Sequence, residues 1–127
     1  MRIKKYNVLA IGAHPDDLEI SCAGTLAKWA KQGFLVTMVV ATDGELGSPT
    51  KSLVNKIGKI IIKEFLSSAN IIKANALRLG IEDGFVFDNK ENRLKLIELM
   101  QKIRPEIVIT HYPDDDHPDH QAVSKLV

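Results

Sequence analysis

Two short segments hold all four histidines of the chain: AHPDDLE, from Ala13 to Glu19, and HYPDDDHPDH, from His111 to His120. In the first, His14, Asp16 and Asp17 stand directly after an apolar run. Adjacent carboxylates at such a place repel one another unless a cation relieves them, so the pattern points to a metal. Pro15 fixes its own φ and restricts His14 before it, which helps hold the imidazole in one orientation. A tight turn then lets His14 and Asp17 point the same way and leaves Asp16 to one side of the ion. The second segment offers further donors in His111, His117 and His120, beside Asp114, Asp115, Asp116 and Asp119. On a helical turn His117 and His120 share a face, so one can ligate while the other points at a substrate. Two imidazoles and one carboxylate leave a position open for water, the donor set of catalytic zinc hydrolases. Such a site lowers the pKa of water to about 7 while a neighbouring carboxylate takes the proton. Asp16 suits that base role, and a protonated His117 suits the stabilisation of an oxyanion.

The elements that must position these residues are legible in the apolar pattern. YNVLAIG (Tyr6–Gly12) is a short apolar run ending at glycine and predicts a strand buried on both faces. A helix is predicted over about Ile20–Gln32, with Gly33 as its C-terminal stop, then a strand over Phe34–Thr42. Asp43–Ser52 reads as a long loop, and Leu53–Ile72 as a second helix despite the β-branched Ile60, Ile61 and Ile62. A third strand over Ala76–Leu79, a helix over Asn92–Ile103 and a fourth strand over Glu106–His111 complete the alternation. Strand and helix in turn predict right-handed crossovers and an open parallel α/β sheet, Rossmann-like, with helices on both faces. Ligands of such sheets bind at the carboxyl ends of the strands, where AHPDDLE, TDGELG, GIEDG and HYPDDDHPDH all fall.

With 127 residues, 45% of them hydrophobic, the chain suits a single domain over residues 1–127. Lys and Arg total 17 against 16 acids, for a net charge of +1, so no global field favours nucleic acid or an anionic membrane. Five lysines between Lys51 and Lys73 face Glu64 alone and read as a solvated helix face. The lone Cys22 cannot form an internal disulfide and reads as a small buried apolar residue; the first residues lack a signal peptide's pattern, and no apolar run spans a bilayer. The expectation is a cytoplasmic protein, with a homo-oligomer left open.

AHPDDLE, followed by SCAGTL (Ser21–Leu26), TDGE (Thr42–Glu45) and HPDH (His117–His120), resembles the signatures of the LmbE-like, or PIG-L, family of zinc-dependent N-acetylglucosaminyl deacetylases. The resemblance spans nearly the whole chain. It includes enzymes that deacetylate sugar precursors of bacillithiol and mycothiol. It implies Zn2+ on His14, Asp17 and His120, a general base at Asp16 and an oxyanion-stabilising histidine at His117. Asp83, in GIEDG, is similar to the acidic residue that the family places near the sugar, and the implied substrate is a small N-acetylated amino sugar. The family's second helix carries a substrate-binding arginine three residues before a glutamate. Here the glutamate is Glu64 and the arginine position is Ile61, with Lys59 or Lys63 as candidate replacements. The family's chain also continues further, so the sequence reads as an amino-terminal portion that binds metal and deacetylates poorly by itself.

Other residues carry weaker expectations. Asp43 and Glu45 are expected to line the pocket. His111 is expected either near a ligand or as a strand-end cap, Asp119 to orient a ligand or cap the last helix, and Asp114–Asp116 to form a solvated turn. Trp29 and Phe65 read as core or interface. Two other functions compete. A receiver-like phosphoacceptor domain has this length and an acidic pair after strand one, but would leave the histidines without a purpose. A non-catalytic metal-binding fragment is the other, while a nucleotide site lacks its glycine-rich cradle.

Overall fold

The computed structural model describes residues 2, 4–47, 50 and 53–127. Residues 48, 49, 51 and 52 of the expected loop, Lys51 among them, lie outside the described residues, as do residues 1 and 3 of the amino-terminal segment.

Four strands, β1 (Asn7–Gly12), β2 (Leu35–Thr42), β3 (Asn75–Ile81) and β4 (Ile107–Ile109), form one sheet in the order β3-β2-β1-β4, and every pair is parallel. The α/β expectation holds, with helices on both faces. Val8 and Ala10 of β1 join Val36, Met38 and Val40 of β2 in a cluster capped by Leu18, Leu26 and Phe65. Leu9 and Ile11 join Val39 and Ala41 on the opposite face, under Leu96, Leu99 and Val123. This two-residue alternation, apolar on both faces, explains why β1 and β2 read as unbroken apolar runs. Trp29 and Phe65 both pack in the first cluster.

The order also disposes of the receiver alternative. A receiver's flavodoxin-like sheet places strand three beside strand one, whereas here β1 lies between β2 and β4 and β3 is an edge. The direction of winding therefore reverses between β1 and β4. Their carboxyl ends open the crevice in which such sheets bind ligands.

The helices are α1 (Asp17–Ser21), α2 (Ala23–Lys31), α3 (Val54–Ile71), α4 (Lys90–Ile103) and α5 (Pro118–Leu126). The single helix expected over 20–32 is two helices that begin earlier. Ser21 Oγ donates to the Asp17 carbonyl at 2.5 Å, the kind of side-chain bond that competes with helix continuation, and Cys22 leaves helical geometry at φ −142°. β3 is longer than expected and β4 shorter. Thr110 leaves the ladder, its hydroxyl donating to the Ile11 carbonyl at 3.1 Å, and His111 turns to accept from Ala13 N at 2.9 Å. Lys56, Lys59, Lys63 and Lys73 are exposed, as a solvated face requires. No helix among the described residues is long and apolar enough to cross a membrane.

Candidate metal centre

The end of β1 sets the site. Gly12 allows α1 to start close beneath it: a Cβ there would stand 3.1 Å from the Asp17 Cβ. Asp16, next in the turn, adopts the left-handed conformation at φ 85°, which a non-glycine residue holds only when its surroundings enforce it. Glu19 enforces it by accepting from Asp16 N at 3.1 Å, and Ser68 of α3 donates to the other Glu19 oxygen at 2.6 Å. Asp16 is thereby presented, exposed, at the rim of a cleft of about 540 Å³ that His14, Asp83, Ile61 and His117 also line.

Asp17 is the centre of convergence. Its Oδ2 accepts from His14 N at 2.8 Å and lies 3.2 Å from His120 Nε2, 3.2 Å from His111 Nε2 and 3.5 Å from His14 Nδ1. The donor atoms of His14, Asp17 and His120 lie within 4.8 Å of one another. Burial works to raise the Asp17 pKa, but the imidazoles of His111 and His14, the His14 N–H and the His120 charge together hold it well below the usual carboxylate range. Burial likewise works to lower the His14 pKa. The carboxylates of Asp17, Asp119 and Asp83 outweigh it and raise that pKa to about 9. A cluster that gathers protons this strongly has the charge distribution a divalent cation would replace.

The outer nitrogens of both imidazoles face carboxylates, the arrangement that fixes a ligating tautomer. His14 Nε2 lies 2.9 Å from Asp119 Oδ2 and 3.0 Å from Asp83 Oδ1, which places the ring proton there and leaves Nδ1 toward Asp17. His120 Nδ1 is buried and lies 3.1 Å from Asp115 Oδ2, outside hydrogen-bonding alignment. The residues present thus fit a metal through His14 Nδ1, Asp17 and His120 Nε2. His111 Nε2 serves either Ala13 N–H or Asp17, because one ring nitrogen either accepts or donates.

The second segment decides one alternative and corrects one expectation. Of the two roles open to Asp119, the helix cap is not taken; His117 caps α5, its Nδ1 accepting from Asp119 N at 3.1 Å. The Asp119 carboxylate, 1% exposed, instead accepts from Gly84 N at 2.8 Å and Val86 N at 3.1 Å, tying the GIEDG loop to His14. Asp115 is no free turn residue either, since Oδ1 accepts from His117 N at 2.9 Å. That bond, with the His120 contact, pulls its pKa down. Its place two residues before His117 was the available signal.

Asp83, 7% exposed, lines the cleft, and its Oδ2 accepts from Leu46 N at 2.9 Å. Asp43 and Glu45 stand behind the cleft. Arg78 Nη1 donates to Asp43 Oδ2 at 2.5 Å, and Glu45 Oε1 accepts from Asp83 N at 2.9 Å. Burial pushes the Asp43 pKa up, with Arg78 opposing and Glu45 adding to the rise. Ile61 reaches the cleft wall, whereas Lys59 and Lys63 are exposed and line none of it.

Comparison with known proteins agrees with the fold. The family described as PIG-L: GlcNAc-PI de-N-acetylase matches residues 9–127. The 1D-myo-inositol 2-acetamido-2-deoxy-alpha-D-glucopyranoside deacetylase of Corynebacterium efficiens is 34% identical over 89% of this chain and 45% of its own. A Bacillus anthracis protein named "Probable N-acetyl-alpha-D-glucosaminyl L-malate deacetylase 2" is 29% identical over 95% of this chain and 57% of its own. Among solved structures, the N,N'-diacetylchitobiose deacetylase of Pyrococcus horikoshii superposes with a TM-score of 0.87 at 31% identity, over 94% of this chain and 46% of that one. The chain spans about half the length of these relatives.

Proposed function

The chain belongs to the PIG-L, or GlcNAc-PI de-N-acetylase, family, and from that premise we propose that residues 1–127 form one domain carrying the zinc-dependent centre of an N-deacetylase. Its substrate is a small conjugate of N-acetylglucosamine, and the bond cut is the acetamide. The observation that carries this reading is the convergence of His14, Asp17 and His120, with Asp16 beside them on the cleft rim. Bound by those three residues, zinc would supply a Lewis acid that polarises the amide carbonyl and acidifies water.

The chain's own groups account for the proton traffic. Asp16, held outward by Glu19, takes a proton from water as its oxygen adds to the carbonyl carbon. His117, whose ring centroid lies 4.7 Å from that of His14, faces the same cleft and donates to the oxyanion that forms. Its Nδ1 is occupied by Asp119 N–H, so Nε2 is the donor. As the C–N bond breaks, the amine nitrogen takes the proton held on Asp16, leaving acetate and a free amino sugar. Asp83 stands where it can accept from a sugar hydroxyl; Asp43 and Glu45 hold the loop that Asp83 grips.

Incubation with zinc and an N-acetylglucosamine conjugate, with assay of the free amine, tests the reading. Release that needs Asp16 and the metal supports it. Metal uptake with no release from any conjugate would leave a non-catalytic metal-binding fragment. Histidine and carboxylate also accept iron, cobalt or nickel, so metal analysis of the isolated protein tests the choice of zinc.

A further inference from the structure

Resting on the deacetylase reading, we propose that this cleft selects conjugates whose group attached to the sugar is uncharged and apolar, that it disfavours anionic ones, and that Ile61 determines that preference. Relatives with carboxylate, inositol or sugar attachments leave the question open for this chain.

Part of the cleft wall is built from carbon. Ile61 projects from α3 toward the loop after β2: a Cβ placed on Gly44 would stand 3.7 Å from Ile61 Cγ2 and 3.9 Å from its Cδ1. Pro15 packs against the same glycine, and Leu46, 54% exposed, continues the surface toward Gly84. Beyond it, Phe85 and Phe87 are both exposed, their rings edge to face at 6.4 Å. Side chains of this kind gain by covering an apolar group and offer a charged one nothing in exchange for its hydration.

The carboxylates nearby have the wrong sign for an anion. Asp16 and Asp83 line the cleft, and beside the metal-site imidazoles no lysine or arginine among the described residues does. Behind the wall, Asp43 Oδ1 and Glu45 Oε2 are buried without a hydrogen-bond partner, so neither carboxylate is fully compensated. Arg78, on β3, is engaged by Asp43. His14, Asp17 and His120 would hold the cation, and the Asp17 carboxylate would neutralise part of its charge. A carboxylate attached to the sugar therefore meets an apolar wall with carboxylates on the cleft and behind it, which costs roughly tenfold or more in affinity.

The test compares benzyl and malyl N-acetylglucosaminides as substrates of wild type, Ile61→Arg and Ile61→Ala, with melting temperature as a control for folding. The expected wild-type result is a kcat/KM ratio favouring the benzyl conjugate by about tenfold or more, expressed in KM and shrinking as salt screens the repulsion. Ile61→Arg should move the ratio toward the malyl conjugate by about tenfold, and Ile61→Ala should weaken benzyl binding alone. Equal or better wild-type use of the malyl conjugate overturns the inference, as does a ratio unmoved by Ile61→Arg in a folded protein. If no conjugate releases amine, the deacetylase reading fails separately. Calorimetric binding of the two glycosides to wild type, at low and high salt, then still decides the preference.

Discussion

Replacing Asp119 by alanine removes a buried side chain that joins His14 to the loop after β3. Its Oδ2 lies 2.8 Å from Gly84 N and 2.9 Å from His14 Nε2, and its Oδ1 3.1 Å from Val86 N, all from a carboxylate 1% exposed. Val86 is buried, so its N–H has no route to water and loses about 1–3 kcal/mol when unpaired. Gly84 is exposed and can recruit water, and His14 keeps Asp83 as a second acceptor at 3.0 Å, so each of those losses is closer to 1 kcal/mol or below. Relief from burying an anion offsets part of the sum. The expected net destabilisation is about 2–4 kcal/mol for Asp119→Ala. Asp119→Asn keeps one acceptor oxygen but aims its amide either at Val86 N–H or at the other two donors, for about 1–2 kcal/mol. Because His14 loses one of the two carboxylates that fix its tautomer and keeps Asp83, both variants should bind zinc more weakly, by roughly tenfold. Urea unfolding in the presence of EDTA and zinc titration by competition with a chromophoric chelator measure the two effects. An Asp119→Ala protein within 0.5 kcal/mol of wild type, or with unchanged zinc affinity, would refute the reasoning.

Other consequences concern pH and the turn. In the metal-free protein the His14 pKa is raised from 6.5 to about 9, so its contribution is complete below about pH 6.5 and is lost as pH rises through 9. Allowing for solvent screening, that is about 1–2 kcal/mol, and the melting temperature in EDTA should fall over this window in wild type but not in His14→Asn. The sign is opposite for Asp17: its depressed pKa makes its contribution present above the ordinary carboxylate range and lost as pH falls below it, which acid unfolding of Asp17→Asn against wild type would show. Zinc affinity should rise with pH up to about 9 as His14 sheds its proton, readable by calorimetry. Glu19→Gln should retain metal while kcat drops several-fold, since the Asp16 turn loses a charged acceptor; an unchanged kcat would detach Glu19 from the site.

Much of this architecture is local and so was visible in the chain. The double-sided burial of Val8 to Ile11 shows as an unbroken apolar run, and Gly33 at φ 89° ends its helix where glycine in the sequence said it would. His14, Asp16, Asp17, His111, His117 and His120 stood out by residue type, the resemblance chose His120 among the last three as ligand, and parallel winding brings their loops together across the β1–β4 switch point. What escaped was contact across long sequence separation. The interval between Asp119 and the N–H groups of Gly84 and Val86, or between Ser68 and Glu19, carries no periodicity, so Asp119 stayed open between orienting a ligand and capping the last helix. The break at Cys22 also escaped, because it depends on a serine hydroxyl choosing a carbonyl one turn back. Asp43 and Glu45 follow the same logic: their loop position suggested the cleft, while Arg78 and Asp83 N–H, from another strand and loop, hold them behind it.

The central claim separates three ligands from one base, and metal stoichiometry after dialysis against trace zinc tests it most directly. Wild type and Asp16→Asn should each retain one zinc, and Asp17→Ala and His120→Ala should retain none. Zinc held by Asp17→Ala or His120→Ala, or lost from a folded Asp16→Asn, would contradict the assignment.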